Sequence, residues 1–245
     1  MDLGLKGRRA LVTAASKGLG RACAEALIGE GAQVYISSRD AKAIEATGIA
    51  IAATGWTAAD VAREADIDAL IEAANRKLGG LDALVVNAGG PPPGTFEATP
   101  IEAWDTAYQL TLLSAVRLVR GALSHLKRSD QGRIVFITSI SVRQPIPNLV
   151  LSNSLRAAVT GMAKTLSAEL APDRITVNCL APDAIRTDAL RRLGDLEQMA
   201  GRAPMKRLGE PAEVGAACAF LCSSRAAYIT GQSLGIDGGS LVGVH

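Results

Sequence analysis

Five short runs of this sequence are apolar almost without interruption: "RALVT" at 9–13, "QVYIS" at 33–37, "LDALVVN" at 81–87, "GRIVFITS" at 132–139 and "RITVNCLA" at 174–181. They lack the polar alternation of a half-exposed strand, so they suit strands covered on both faces. Between them stand longer amphipathic stretches, among them "GRACAEALIGEG", "DIDALIEAANRKLGG" and "AWDTAYQLTLLSAVRLVRGALSHLKRS". Strand and helix in alternation predict a parallel sheet with helices on both faces. Weaker segments complete it: an Ala-rich helix over 41–53, a third strand in "GWTAADV", and a last helix and strand in "PAEVGAACAFLCSS" and "QSLGIDGG". The expected fold is α/β, a doubly wound parallel sheet of about seven strands.

The 245 residues show no repeat and no Gly/Ser/Pro linker, and "GGPPPG" at 89–94 is too short and stiff to be one, so a single domain over 1–245 is expected. Charge is nearly balanced, 26 Lys and Arg against 24 Asp and Glu without a basic run, which argues against a nucleic-acid partner. Cys23, Cys179, Cys218 and Cys222 have no metal-ligand spacing, and only His125 and His245 are there to join them. Buried free thiols and no metal site are expected. The start, "MDLGLKGRRALVTAA", has no long apolar run before a small-residue cleavage site, so neither a signal peptide nor a membrane span is expected, and the expected location is cytoplasmic.

The chemistry begins at "TAASKGLG", residues 13–20, between the first strand and the first helix. A phosphate needs backbone N–H donors at a helix amino terminus with no side chain in the way, and Gly18 and Gly20 provide that clearance. The second strand ends in "SSRD", which sets Arg39 beside Lys17 of the turn. Two cations suit a dianionic 2′-phosphate better than a lone hydroxyl, so NADP is expected ahead of NAD. Asp40 is expected to cap the next helix.

With Asn87-Ala88-Gly89, "RLGEPAEV" at 207–214 and "YITGQSLGIDGG" at 228–239, the chain resembles the short-chain dehydrogenase/reductase superfamily over essentially its whole length. That turn reads Thr-Gly-x-x-x-Gly-x-Gly in the family, and Ala14 stands here for its first glycine. The resemblance implies a Rossmann domain whose cofactor is held by Thr13, Ser16, Lys17, Gly18, Leu19, Gly20, Arg39, Asp60, Val61, Asn87, Ala88, Gly89, Arg156, Asp183 and Ile185. Asp183 stands where the family has the glycine of Pro-Gly, close to the nicotinamide.

The same resemblance implies an Asn-Ser-Tyr-Lys tetrad, and three of its places are changed. Ser139 keeps the serine; Ser152, thirteen residues on, stands for tyrosine; Arg156, four beyond, stands for lysine; Thr111 stands for asparagine. An aliphatic hydroxyl is a poor general acid beside a phenol of pKa about 10, and Ser152 is shorter by a whole ring. Arg156 keeps a positive, planar fork able to hydrogen-bond ribose hydroxyls. Tyr108 and Asp183 are alternative acids, while Tyr35 and Tyr228 read as structural.

Three readings follow: an NADP-dependent oxidoreductase of a small carbonyl or alcohol, in which Ser139, water and Arg156 assist; a dinucleotide-binding sensor or inactive partner subunit; and a lyase or isomerase using the same pocket. Residues 183–205 read as a helical lid over the substrate, and Arg143 and Arg186 are candidate receivers of an acidic one. Two helices, in 103–123 and 149–170, are apolar around more of their circumference than one sheet can cover. A homodimer or homotetramer is expected, as the resemblance also implies.

Overall fold

The computed structural model describes residues 1–192 and 194–243, so Leu193 within the expected lid and His245 lie outside the described residues. Seven strands form one parallel sheet: β1 (Arg9–Val12), β2 (Gln33–Ser38), β3 (Gly55–Ala58), β4 (Ala83–Val86), β5 (Arg133–Ile137), β6 (Thr176–Pro182) and β7 (Ser233–Ile236). Their order across the sheet is β3-β2-β1-β4-β5-β6-β7. The single-domain doubly wound fold is the expected one. Every residue of β4, β5 and β6 is buried, as their near-continuous aliphatic sequence requires.

The helices are α1 (Gly18–Gly29), α2 (Ala41–Ala50), α3 (Glu64–Leu78), α4 (Ile101–Tyr108), α5 (Ser114–Leu126), α6 (Val150–Glu169), the short α7 (Asp188–Arg191) and α8 (Leu196–Arg202), and α9 (Pro211–Cys222). On one sheet face Cys23, Leu27, Val214 and Cys218 of α1 and α9 pack with Val12, Val34 and Val85. On the other, Leu70, Leu118 and Val159 of α3, α5 and α6 pack with Leu84, Phe136 and Val177. All four cysteines are buried and free, and no described group of residues is arranged to hold a metal ion. Among the described residues no helix is long and apolar enough to cross a membrane.

The stretch expected as one helix over 103–129 is instead α4 and α5 divided by a π-helical segment over Gln109–Leu113. Ser114 donates its hydroxyl to the Leu110 carbonyl across that widened turn. A π segment keeps helical side-chain chemistry, so apolar periodicity does not distinguish it from an α-turn.

Candidate active site

The strand order turns back on itself between β1 and β4, and there, beyond the strands' carboxyl ends, opens a cleft of about 1150 Å³. That exceeds the roughly 300–1,000 Å³ of a single small-molecule pocket. One end is walled by the turn after β1 and the end of β2, the other by the ends of β5 and β6 and the start of α6.

At the first end Thr13 and Asn87 lock two strands together. Thr13 Oγ1 donates to the Asn87 carbonyl at 2.7 Å and accepts the Asn87 N–H at 3.0 Å, while Asn87 Nδ2 donates to the Ala14 carbonyl at 3.1 Å. Ala14 adopts a left-handed φ of 48°, a conformation that suits glycine, and Gly18 follows at 58°. Gly20 is fixed by close approach: a Cβ there would lie 2.5 Å from the Ala14 carbonyl oxygen.

Helix α1 begins directly behind this turn with Lys17 at its N-cap, and no side chain caps its first N–H groups. Uncapped donors and the positive end of the helix dipole make an anion site, and Ser16, Lys17, Gly18 and Leu19 line the cleft beside it. Lys17 and Arg39 are exposed on the same wall and have no acidic partner among the described residues. Asp40 is spent on α2, where its Oδ1 accepts the Ala43 N–H at 3.0 Å, as expected. Val61 lines the cleft, while Thr13, Gly20 and Asp60 are not among its lining residues. Asp60 Oδ1 accepts the Ala62 N–H at 3.0 Å. A clear helix terminus, two unpaired cations and a glycine that cannot carry a side chain fit a phosphorylated dinucleotide.

At the other end Ser139, Ser152 and Arg156 face the cleft with Asn87, Ala88, Gly89, Asp183 and Ile185. Ser139 Oγ accepts the Ser141 N–H at 3.1 Å, which leaves its own proton to be donated. Ser152 and Arg156 share one face of α6. Arg156 Nη1 donates to the Ile137 carbonyl at 2.8 Å and the Thr138 carbonyl at 3.1 Å. Burial lowers this guanidinium to about 10, still cationic at neutral pH, and no charged neighbour contributes to the shift.

Thr111 does not join them. It is buried in the π-helical segment, its hydroxyl has no partner, and it does not line the cleft. Tyr108 is partly exposed at the end of α4, away from the cleft wall. Tyr35 is buried, its hydroxyl bonded to Thr57 and to the Trp56 carbonyl, and Tyr228 is fully exposed. Among the described residues the wall therefore has no tyrosine, histidine or cysteine. Arg143 donates to the Ser233 carbonyl and Arg186 pairs with Glu210, so neither candidate receiver reaches the cleft.

Sequence reasoning missed Arg192, Met199 and Arg202, which line the cleft from α8 and the turn before it. Two short helices joined through Gly194 carry no periodicity long enough to assign faces. It also missed the clasp between two proline-stiffened loops, where Gly94 N–H donates to the Asn148 carbonyl at 2.8 Å and Val150 N–H to the Gly94 carbonyl at 3.2 Å.

Residues 13–240 match the family described as Enoyl-(Acyl carrier protein) reductase. The chain is 34% identical to "Dehydrogenase/reductase SDR family member 4" of Bos taurus over 97% of its own length and 88% of that protein. Among solved structures it resembles YwfH, titled an NADPH-dependent reductase involved in bacilysin biosynthesis, with a TM-score of 0.93, 32% identity and 97% and 99% of the two chains covered. It also resembles L-sorbose reductase from Gluconobacter frateurii, solved with NADPH and L-sorbose, with a TM-score of 0.92, 32% identity and both chains covered in full.

Proposed function

The chain belongs to the short-chain dehydrogenase/reductase superfamily of NAD(P)-dependent oxidoreductases, and from that premise we propose that it is an NADP-dependent oxidoreductase of a small carbonyl or alcohol with altered catalytic groups. The observation that carries this reading is the pair Lys17, at the uncapped start of α1, and Arg39, just after β2, cations that line one cleft without an acidic partner among the described residues. A 2′-phosphate would bring them the charge they lack. The NADPH named for YwfH and for L-sorbose reductase supports the same choice.

In this reading the first turn of α1 holds the pyrophosphate, Asp60 and Val61 hold the adenine, and Asn87, Ala88 and Gly89 form the floor. Asp183 and Ile185 stand beside the carboxamide. Bound there, the nicotinamide supplies the hydride. Ser139 donates to the substrate oxygen, Arg156 keeps positive charge beside it, and Ser152 holds the water that carries the proton. Thr111, buried behind the wall, shapes the π-helical turn. Residues 183–205 act as the substrate lid.

Exposed Phe96, Ile101 and Tyr108 near α4, and Tyr228, Leu234 and Val242 near β7, support a homodimer or homotetramer. A monomer in sedimentation at micromolar concentration would contradict that assembly.

The test is NADPH consumption with a panel of small aldehydes and ketones. Turnover in the wild type, lowered about 100-fold in Ser139→Ala, is the expected outcome. One observation favours a second reading, a dinucleotide-binding protein without turnover: the cleft wall lacks an aromatic hydroxyl. Tight NADPH binding with no consumption across the panel would select it.

A further inference from the structure

Among the described residues three carboxylates line the cleft, and two of them are already engaged. Asp40 caps α2, and Asp188 pairs with Arg191 at 3.3 Å. The third, Asp183, accepts no hydrogen bond on its side chain and forms no ion pair among the described residues. It is partly buried directly after β6, and its N–H donates to the Ile236 carbonyl at 3.1 Å, which fixes it between the ends of β6 and β7.

The cations of the same cleft do not answer it. Arg156 is held by the Ile137 and Thr138 carbonyls, and burial alone moves its guanidinium, so no carboxylate acts on it. Arg202 donates to Gln198 at 3.1 Å, and Arg192 has no carboxylate within ion-pairing distance among the described residues. A partly buried carboxylate left without donor or cation is costly unless a ligand supplies one.

A dinucleotide supplies a cation in one of its two redox states. With its 2′-phosphate at Lys17 and Arg39 and its pyrophosphate at the start of α1, its second nucleotide extends over the ends of β4, β5 and β6. Asp183 lies three strand spacings from β1, about 14 Å along the sheet, beyond the reach at which it would strongly oppose the phosphates in physiological salt. It stands at the nicotinamide end. That ring is positively charged when oxidised and neutral when reduced.

We infer that Asp183 discriminates between the redox states of the cofactor, its carboxylate favouring the oxidised, cationic nicotinamide over the reduced, neutral one. The inference rests on the cofactor reading above and adds to it the residue that sets the relative affinity of the two forms. By linkage, a tighter hold on the oxidised form makes the bound reduced form the stronger reductant.

The test is calorimetric titration of wild type, Asp183→Asn and Asp183→Gly with NADP⁺, NADPH and 2′-phospho-ADP-ribose, which lacks the nicotinamide. The readout is the Kd for NADPH divided by the Kd for NADP⁺. From wild type to Asp183→Asn, which keeps the shape of the side chain, that ratio should fall about three-fold or more, and Asp183→Gly should lower it similarly. Affinity for 2′-phospho-ADP-ribose should change less than about two-fold. The same fall should appear for NADH over NAD⁺, which keeps the test independent of Lys17 and Arg39. A smaller fall, a rise, or a change of equal size for all three phosphorylated ligands would overturn the proposal while leaving the cofactor reading intact. Failure of wild type to bind any of the nucleotides would instead sink the cofactor reading, and this proposal with it.

Discussion

Asn87 donates its side-chain amide to the Ala14 carbonyl at 3.1 Å, and through that bond the end of β4 holds the turn after β1 in a shape that alanine resists. The turn is pinned from a second side by the Ala15 N–H, which donates to the Ser37 carbonyl at 2.8 Å. A left-handed residue so constrained persists because its surroundings determine it.

Ala14→Gly should therefore stabilise the fold. Relief of the left-handed conformation is worth roughly 1–2 kcal/mol, and glycine's extra unfolded-state entropy returns about 0.5–1 of it. A gain of about 0.5–1 kcal/mol should appear as a Tm higher by roughly 1–4 °C in calorimetry. A lower Tm would show that the methyl group packs usefully.

The double change Ser152→Tyr with Arg156→Lys should raise carbonyl reduction. A phenol on α6 extends into a cleft that Ser152 only borders, and a placed general acid contributes about 100-fold or more. The readout is kcat/KM for uncharged ketones with NADPH. Wild type turning over faster than the variant would show that Ser152 and its water already suffice.

Acid stability should depend on Asp82, far from the cleft at the amino ends of the strands. Burial pushes its carboxyl upward, but hydrogen bonds from Arg9 and Ser129 outweigh that and hold it below the usual range. A folded-state pKa below the unfolded value, about 3.9, gives stability that is complete above that value and lost as pH falls through the folded one. Asp82→Asn should cost about 3 kcal/mol at pH 7 in urea unfolding and remove that acid-dependent loss. Equal losses of stability between pH 5 and 3 in both proteins would contradict it.

The fold was legible because its strands announce themselves. Runs such as "ALVV" and "RIVFI" leave no face for water, and parallel pairing follows from the helices between them. The uncapped turn at the start of α1 was legible too, since Gly18, Gly20 and Lys17 lie together in one stretch of sequence. The other end was not. Arg156 was readable as a cation but not as one with Nη1 tied to two carbonyls, because β5 and α6 meet only in three dimensions. The cleft-facing Arg192 and Arg202 were hidden for the same reason, and the π-helical turn at Thr111 has the side-chain pattern of an ordinary helix.

Titration of the purified protein with NADPH and NADH, followed by nicotinamide fluorescence, tests the central claim most directly. Wild type should bind NADPH about ten-fold or more tightly than NADH, and Lys17→Ala with Arg39→Ala should erase that difference while leaving NADH affinity within about three-fold, since each 1.4 kcal/mol is a factor of ten. NADH bound as tightly as NADPH by wild type, or neither bound at all, would contradict the account.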